Sequence, residues 1–334
     1  WINGLLDGQQ LEGGTLSAGF EMASDDKSRL QLLPLQKLLL GDVAVKAGDD
    51  VLAPRLRLSL LPRITRAADH LRVRIDELSL GDGEHQLLGG KLRITQPLPV
   101  SADVPLRLSY DLESDVDALM ALPPLAVRRE AYPLPAAINV HAKGDVEVLG
   151  SQITIAALDA SIAQAARAAV VRVLSRQAFV LPAAGEAFKN PRGELASLSL
   201  RGFDLAWLSA LIEGVDLQGS IASADLLLTA PDAGRLAIAG TAPLRIDGLS
   251  ARMDEQQMVT NLNIVTSPGI DYSAQRLRFD LRQLSIASAG HSLVRGNLAG
   301  TVPLATGGKE ALGADGRLEL DLRALAAQPA VRRA

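Results

Sequence analysis

Leu71-Arg72-Val73-Arg74-Ile75-Asp76-Glu77-Leu78-Ser79-Leu80 alternates apolar and polar side chains as far as Ile75, then resumes at Leu78 on the other parity. Alternation with period two puts Leu71, Val73 and Ile75 on one face of an extended strand and Arg72 and Arg74 on the other. A slip of parity in mid-strand is what one inserted residue produces. The Asp76-Glu77 step therefore predicts a β-bulge, which bends the strand while its apolar side chains stay on the same side. The slip recurs in Leu244-Arg245-Ile246-Asp247-Gly248-Leu249, in Phe279-Asp280-Leu281-Arg282-Gln283-Leu284 and, more weakly, in Gly193-Glu194-Leu195-Ala196-Ser197-Leu198. Unbroken alternation marks further strands at Leu56-Arg57-Leu58, Leu106-Arg107-Leu108, Leu277-Arg278-Phe279 and Leu318-Glu319-Leu320. Strands with one dry and one wet face belong to an antiparallel sheet solvated on one side.

Moving outward, the chain matches itself without gaps at an offset of 206 positions. Trp1 falls on Trp207, Gly13 on Gly219, Pro62 on Pro268, His85 on His291 and Leu119 on Leu325, with about 34 of 128 aligned pairs identical. This is a tandem duplication, and duplicated modules extend a surface more readily than they build a catalytic centre twice. The organisation read from it is a first β-groove module at 1–206 and a second, truncated copy at 207–334, so the chain is expected to be a piece of a longer repetitive protein. Turn signals divide the strands: Gly81-Asp82-Gly83, Gly89-Gly90, Pro231-Asp232-Ala233-Gly234, Gly307-Gly308 and Ala314-Asp315-Gly316. Helical signals are few. Asp115, Asp204 and Asp321 each precede one or two turns of helix, and Asp159 is placed to cap a longer helical insert over Ala160–Val180, inside 129–206. That insert is expected to cover a sheet edge.

Composition narrows the function. Thirty-four basic and 38 acidic residues are interspersed, for a formal charge of -4, which disfavours a polyanion and hence nucleic acid. Aromatic residues are 3% of the chain, too few for base-stacking platforms or for the girdles of an outer-membrane barrel. Cysteine is absent, which removes disulfides, thiolate metal sites and cysteine nucleophiles. The 48% of apolar residues, nearly all aliphatic, need a large core or a lined cavity.

Catalytic and metal motifs are missing. His70, His85, His141 and His291 have no metal-ligand spacing, and neither a nucleophile elbow, a phosphate loop nor a dinucleotide fingerprint occurs. His85 and His291 read as turn histidines, and the acidic pairs Asp25-Asp26, Asp49-Asp50 and Asp254-Glu255 as solvated loop charges. The expectation is a non-enzyme with neither cofactor nor metal.

The segments Leu195–Leu208 leading into Leu217-Gln218-Gly219-Ser220-Ile221, Leu293–Leu304, and Asp315–Leu322 resemble the AsmA-like superfamily of bacterial envelope proteins, which includes AsmA and TamB. The resemblance is one of strand-and-turn pattern over most of the chain. It implies a periplasmic β-groove that bridges inner and outer membranes and conducts phospholipids, anchored in the inner membrane by a segment outside this stretch. Phospholipids, and components of both membranes at the ends of the parent protein, are the partners so implied.

Residue pattern and resemblance converge on one fold: mostly β, an elongated, curled antiparallel sheet forming an open hydrophobic groove (β-taco-like), with a few short helices. The expected groove lining is Leu56, Leu58, Leu71, Val73, Ile75, Leu106, Leu108, Leu226, Leu228, Leu244, Ile246, Leu262, Ile264, Leu277, Phe279, Leu281, Leu318 and Leu320. The expected function is lipid transfer, within outer-membrane biogenesis and the cell envelope. Two rivals stand beside it. One is a periplasmic assembly factor that binds nascent outer-membrane strands by β-augmentation. The other is a structural rod with a closed core.

Overall fold

The computed structural model describes residues 10–25, 29–48, 50–83, 85–101, 103–126, 136–150, 152–164, 169–181, 191–209, 214–232, 234–253, 256–273, 276–304 and 313–332. Two compact units divide the chain: Trp1–Ala131 with Pro135–Ala166, and Tyr132–Leu134 with Arg167–Ala334. This division by packing differs from the division by sequence repeat, because each packed unit gathers consecutive hairpins. The architecture is mostly β, antiparallel, with a few short helices.

In the first unit, strands follow in chain order: β1 (Gln10–Asp25), β2 (Arg29–Ala47), β3 (Asp50–Arg66), β4 (His70–Asp82), β5 (His85–Pro97), β6 (Leu106–Asp115), β7 (Ile138–Leu149) and β8 (Gln152–Gln164). Each pairs antiparallel with the next. A single-turn helix, α1 (Val116–Met120), separates β6 from β7.

The second unit holds β9 (Ala169–Ser175), β10 (Phe179–Leu181), β11 (Gly193–Asp204), α2 (Ala206–Ser209), β12 (Val215–Asp232), β13 (Arg235–Gly240), β14 (Leu244–Met253), β15 (Gln256–Ser273), β16 (Arg276–Ser288), β17 (His291–Pro303), β18 (Gly313–Leu320), α3 (Leu322–Leu325) and α4 (Pro329–Arg332). β9, β11 and β12 pair in that order, and β13 and β14 together fill the place between β12 and β15. β15 to β18 continue as hairpins. The break between β13 and β14 falls at Thr241-Ala242-Pro243, where Pro243 has no N–H for the ladder.

Strand limits recur at the sequence offset. His70–Asp82 and Arg276–Ser288 are 206 positions apart at both ends, as are His85–Pro97 and His291–Pro303. Left-handed backbone recurs with them: Asp42 and Gly248, Gly83 and Ala289, and Gly90 and Gly296 are repeat partners, each with positive φ.

The register shifts lie where the parity slips: between Ile75 and Leu78, between Ile246 and Leu249, between Leu281 and Leu284, and between Glu194 and Ala196. A bulge leaves an N–H without its ladder partner, and here a neighbouring strand supplies an acceptor. Asn263 Oδ1 accepts the Gly248 N–H at 2.9 Å and Asn297 Oδ1 accepts that of Gln283 at 3.0 Å.

Buried apolar residues are scattered along the sheets, among them Val43, Ala53, Leu195, Ala230, Leu262 and Leu284, and a few lie beside the short helices. Leu87 is 1% exposed on β5, against which α1 packs, and Leu205 is buried two residues before Trp207 of α2. Phe203 meets the Trp207 ring edge to face, with centroids 5.0 Å apart. Helices this short do not hold themselves together in water. Asp115 Oδ1 accepts the Ala118 N–H at 3.1 Å and Asp321 Oδ1 that of Ala324 at 3.0 Å, satisfying donors that one turn leaves open.

Three sequence expectations are corrected. Ala160–Val180 is not a helix: Ala160–Gln164 ends β8, followed by β9 and β10, with 165–168 outside the described residues. Its apolar residues fit period two as well as 3.6, and the β-branched Val170, Val171 and Val173 settle into a strand once β11 offers a partner. Gly89-Gly90 is not a turn but lies within β5, where φ of 140° lets Gly90 pass the Asp111 carbonyl of β6. Ala314-Asp315-Gly316 likewise lies within β18. Gly307-Gly308, Asp26, Asp49 and the pair Asp254-Glu255 lie outside the described residues.

Candidate functional site

Residues directly opposed in an antiparallel pair project to the same face, so the registers can be followed across each unit as rows of side chains. In the first unit one row reads Met22, Leu32, Ile64, Val73, Ile94, Leu108, Val146 and Ile155, one residue from each of β1 to β8. At about 4.8 Å between strands this is an unbroken apolar line of about 34 Å. The row on the opposite face, Ala23, Gln31, Thr65, Arg72, Thr95, Arg107, Glu147 and Thr154, is polar in every strand from β2 to β8. Arg107 and Glu147 form an ion pair across it at 3.1 Å.

The second unit repeats the design by itself. Phe203, Ile221, Ile246, Ile264, Ile286, Val294 and Leu320 form one row, against Arg201, Ser223, Arg245, Val265, Ser285, Arg295 and Glu319 on the other face. The bulges make this coherence possible. Without the inserted residue at Asp247-Gly248, Ile246 and Leu249 would point to opposite faces, since a one-residue slip inverts a strand.

All eighteen residues expected to line a groove fall on the apolar face of their own unit. Leu56, Leu58, Leu71, Val73, Ile75, Leu106 and Leu108 do so in the first, and Leu226, Leu228, Leu244, Ile246, Leu262, Ile264, Leu277, Phe279, Leu281, Leu318 and Leu320 in the second. Only Leu262 among them is buried; Leu318 and Leu320 are 41% and 49% exposed, and the rest are half-buried. Residues packed into closed core fall below a tenth exposure, as Leu87 and Leu195 do. Members of the face missed by sequence reasoning include Met22, Ile64, Leu80, Ile94, Val146 and Ile286. Leu80 and Ile286 follow the parity slips of their strands, and the pairing register places all six on this face.

The wet face carries the titratable groups. His141 Nε2 lies 2.8 Å from Asp111 Oδ1, and this hydrogen bond holds the Asp111 carboxyl below its usual range. Glu113 and Ser161 flank His141 in register, along a cavity of about 450 Å³ that also takes in Asp115 and Asn139. A serine, a histidine and an aspartate thus stand in line. No hydrogen bond joins Ser161 to His141, however, and the imidazole and carboxylate side chains are 40% and 42% exposed, so water competes for both. The pair is a cross-strand hydrogen bond of the wet face. In the second unit Arg201 donates to both carboxylate oxygens of Asp225 at 2.7 and 2.8 Å, and Ser199 Oγ donates at 2.9 Å. These contacts, with Arg201 foremost, hold Asp225 below the ordinary carboxylate range. Among the described residues no group of three or more His, Asp or Glu side chains is placed to hold a metal ion, and no helix is long and apolar enough to cross a membrane. No family model, curated protein or solved structure matches this chain.

Proposed function

We propose that the chain is a segment of a bridge-like lipid-transfer protein that holds phospholipid acyl chains against the apolar face of its sheets. The observation that supports this reading is the row from Met22 to Ile155, apolar in eight successive strands with no member buried. An aliphatic surface of that extent is costly to leave in water, and each methylene it shelters is worth about 0.8 kcal/mol. Aliphatic contacts are non-directional, so one register of an acyl chain is nearly as good as the next, and a held lipid can slide. In this reading, in keeping with the resemblance to AsmA-like proteins, the transfer runs in the periplasm between inner and outer membranes. No step of this function needs bond chemistry.

The test is uptake of a fluorescent-tailed phospholipid by the delipidated chain, with native mass spectrometry of the loaded protein. Binding with defined stoichiometry is expected, and Phe279→Asp, on the apolar face of β16, is expected to reduce uptake at least fivefold while the far-ultraviolet spectrum stays unchanged. A chain that emerges from cells free of lipid and takes up none contradicts the proposal. Preferential binding of unfolded outer-membrane strands without lipid would favour the assembly-factor reading.

A further inference from the structure

On β6 to β8 the opposed charges of the wet face are complementary: Arg107 faces Glu147, and Lys143 stands between Asp111 and Asp159. On β3 to β5 they are alike. Arg63 of β3 lies directly opposite Arg74 of β4, and Arg74 directly opposite Arg93 of β5, in the wet row beside that of Thr65, Arg72 and Thr95. All four arginines are exposed. Among the described residues Asp76 is the one carboxylate in contact with them, shared between Arg63 at 3.7 Å and Arg74. Arg72 and Arg93 form no ion pair there, and Asp69, whose charge reaches Arg72 from the adjoining turn, is bonded to His70 at 2.7 Å.

Like charges set directly opposite each other weaken a sheet, and the second copy shows that the fold does not need them. At the offset of 206 positions Gly269, Asp280 and Ala299 replace Arg63, Arg74 and Arg93 in the same register, and Arg282 replaces Asp76 and pairs with Asp280 at 3.2 Å. A destabilising cluster of one sign, kept in one copy alone, points to an anion outside the chain. The planar guanidinium fork matches phosphate with two donors at once. These rows carry no aromatic side chain on which a base could stack. The patch is three strands wide, about 10 Å, and beyond Ser109 its row reaches Asp145. A long polyanion crossing the strands would run onto that carboxylate, whereas phosphates presented side by side on a plane meet the arginines alone.

We propose that Arg63, Arg72, Arg74 and Arg93 form a docking face for the headgroup phosphates of an anionic phospholipid membrane. The wet side of β3 to β5 lies against the bilayer surface while the apolar face of the same strands points away from it, so this contact does not depend on what the apolar face holds. A formal charge of -4 hides the patch in the sequence, because its four arginines come from three strands that only the register brings together.

Cosedimentation of the whole chain with phosphatidylcholine vesicles, with and without phosphatidylglycerol, tests this. Binding is expected only where phosphatidylglycerol is present, and it should fall as salt is added. Arg93→Gln is expected to weaken it about fivefold, and Arg63→Gln, Arg74→Gln and Arg93→Gln together on the order of a hundredfold. Arg93→Gln should not lower the thermal midpoint, because it removes a like-charge neighbour and breaks no ion pair. Arg278→Gln, at the repeat partner of Arg72, should leave binding unchanged. Phe279→Asp should also leave vesicle binding unchanged while it reduces uptake of the fluorescent lipid, which separates this proposal from that of lipid transfer. Binding that ignores phosphatidylglycerol, equal weakening by Arg278→Gln, or loss through Phe279→Asp but not Arg93→Gln overturns the docking face. So does tighter binding of a single-stranded oligonucleotide or of inorganic diphosphate than of the vesicles through the same arginines.

Discussion

Two ion pairs at the same repeat position have exchanged their signs. Arg74 bonds Asp76 on β4, and 206 residues later Asp280 faces Arg282 on β16. The dry side of the same strands did not drift in this way. Leu71 and Leu78 recur as Leu277 and Leu284, and Val73 and Ile75 change only to Phe279 and Leu281. The wet face is constrained by complementarity between neighbours, which either order of charges satisfies. The dry face must stay apolar residue by residue. A selective demand for aliphatic surface that stays mostly half-buried fits a face that serves something outside the polypeptide.

The comparison can be broken most strongly at the buried leucines. Leu87 and Leu293 are repeat partners at 1% and 2% exposure, each beside a short helix, and Leu→Ala at either should destabilise its own unit by about 3 kcal/mol. Hydrogen exchange resolved to β5 and β17 reads each loss separately. A large effect in one copy alone would show that the two sites are not equivalent. Next come Gly90→Ala and Gly296→Ala, where φ is 140° and 147° and a Cβ would collide with the carbonyl of Asp111 or Arg317. About 2 kcal/mol or more is expected at each. Gly48→Ala, which meets nothing within 4 Å at φ of 62°, should cost less than either in denaturant titration.

Smaller effects follow at the helix caps, where Asp115→Ala and Asp321→Ala should each cost about 1 kcal/mol and fray α1 or α3, seen in the exchange of the Ala118 and Ala324 amides. Acid should separate the units at Asp225, whose repeat position in the first copy is Gly19. Its folded carboxyl titrates lower than the unfolded one, so its contribution is complete above about 3.8 and is lost as pH falls through the folded value. Exchange at β11 and β12 should therefore rise below that pH, and Asp225→Asn should remove the step. The smallest effect belongs to the wet face: Arg74→Asp with Asp76→Arg should change stability by less than about 0.5 kcal/mol, because an exposed pair is worth little in either order. A large loss there would end the claim that only complementarity matters on that side.

Much of this fold was legible locally. Parity slips marked the bulges at Ile75/Leu78 and Leu281/Leu284, the Asp-led segments marked the one-turn helices, and alternation grouped the eighteen lining candidates on one face within each unit. What failed depended on distant neighbours. Ala160–Val180 carries apolar residues that suit helix and strand alike, and β11 decides between them. Gly90 looks like a turn until the carbonyl of Asp111 on the adjacent strand explains why no side chain fits. The long apolar rows exist only through register, which a single strand does not contain.

The proposed lipid transfer requires the half-open apolar face to be the surface that meets lipid. Photo-crosslinking with a phospholipid bearing a diazirine in mid-acyl chain, followed by peptide mapping, tests this most directly. Labels are expected at Val73, Ile94, Ile264 and Ile286, with Arg72, Thr95, Val265 and Ser285 on the opposite face spared. Labelling spread evenly over both faces, or confined to the wet rows, would contradict it.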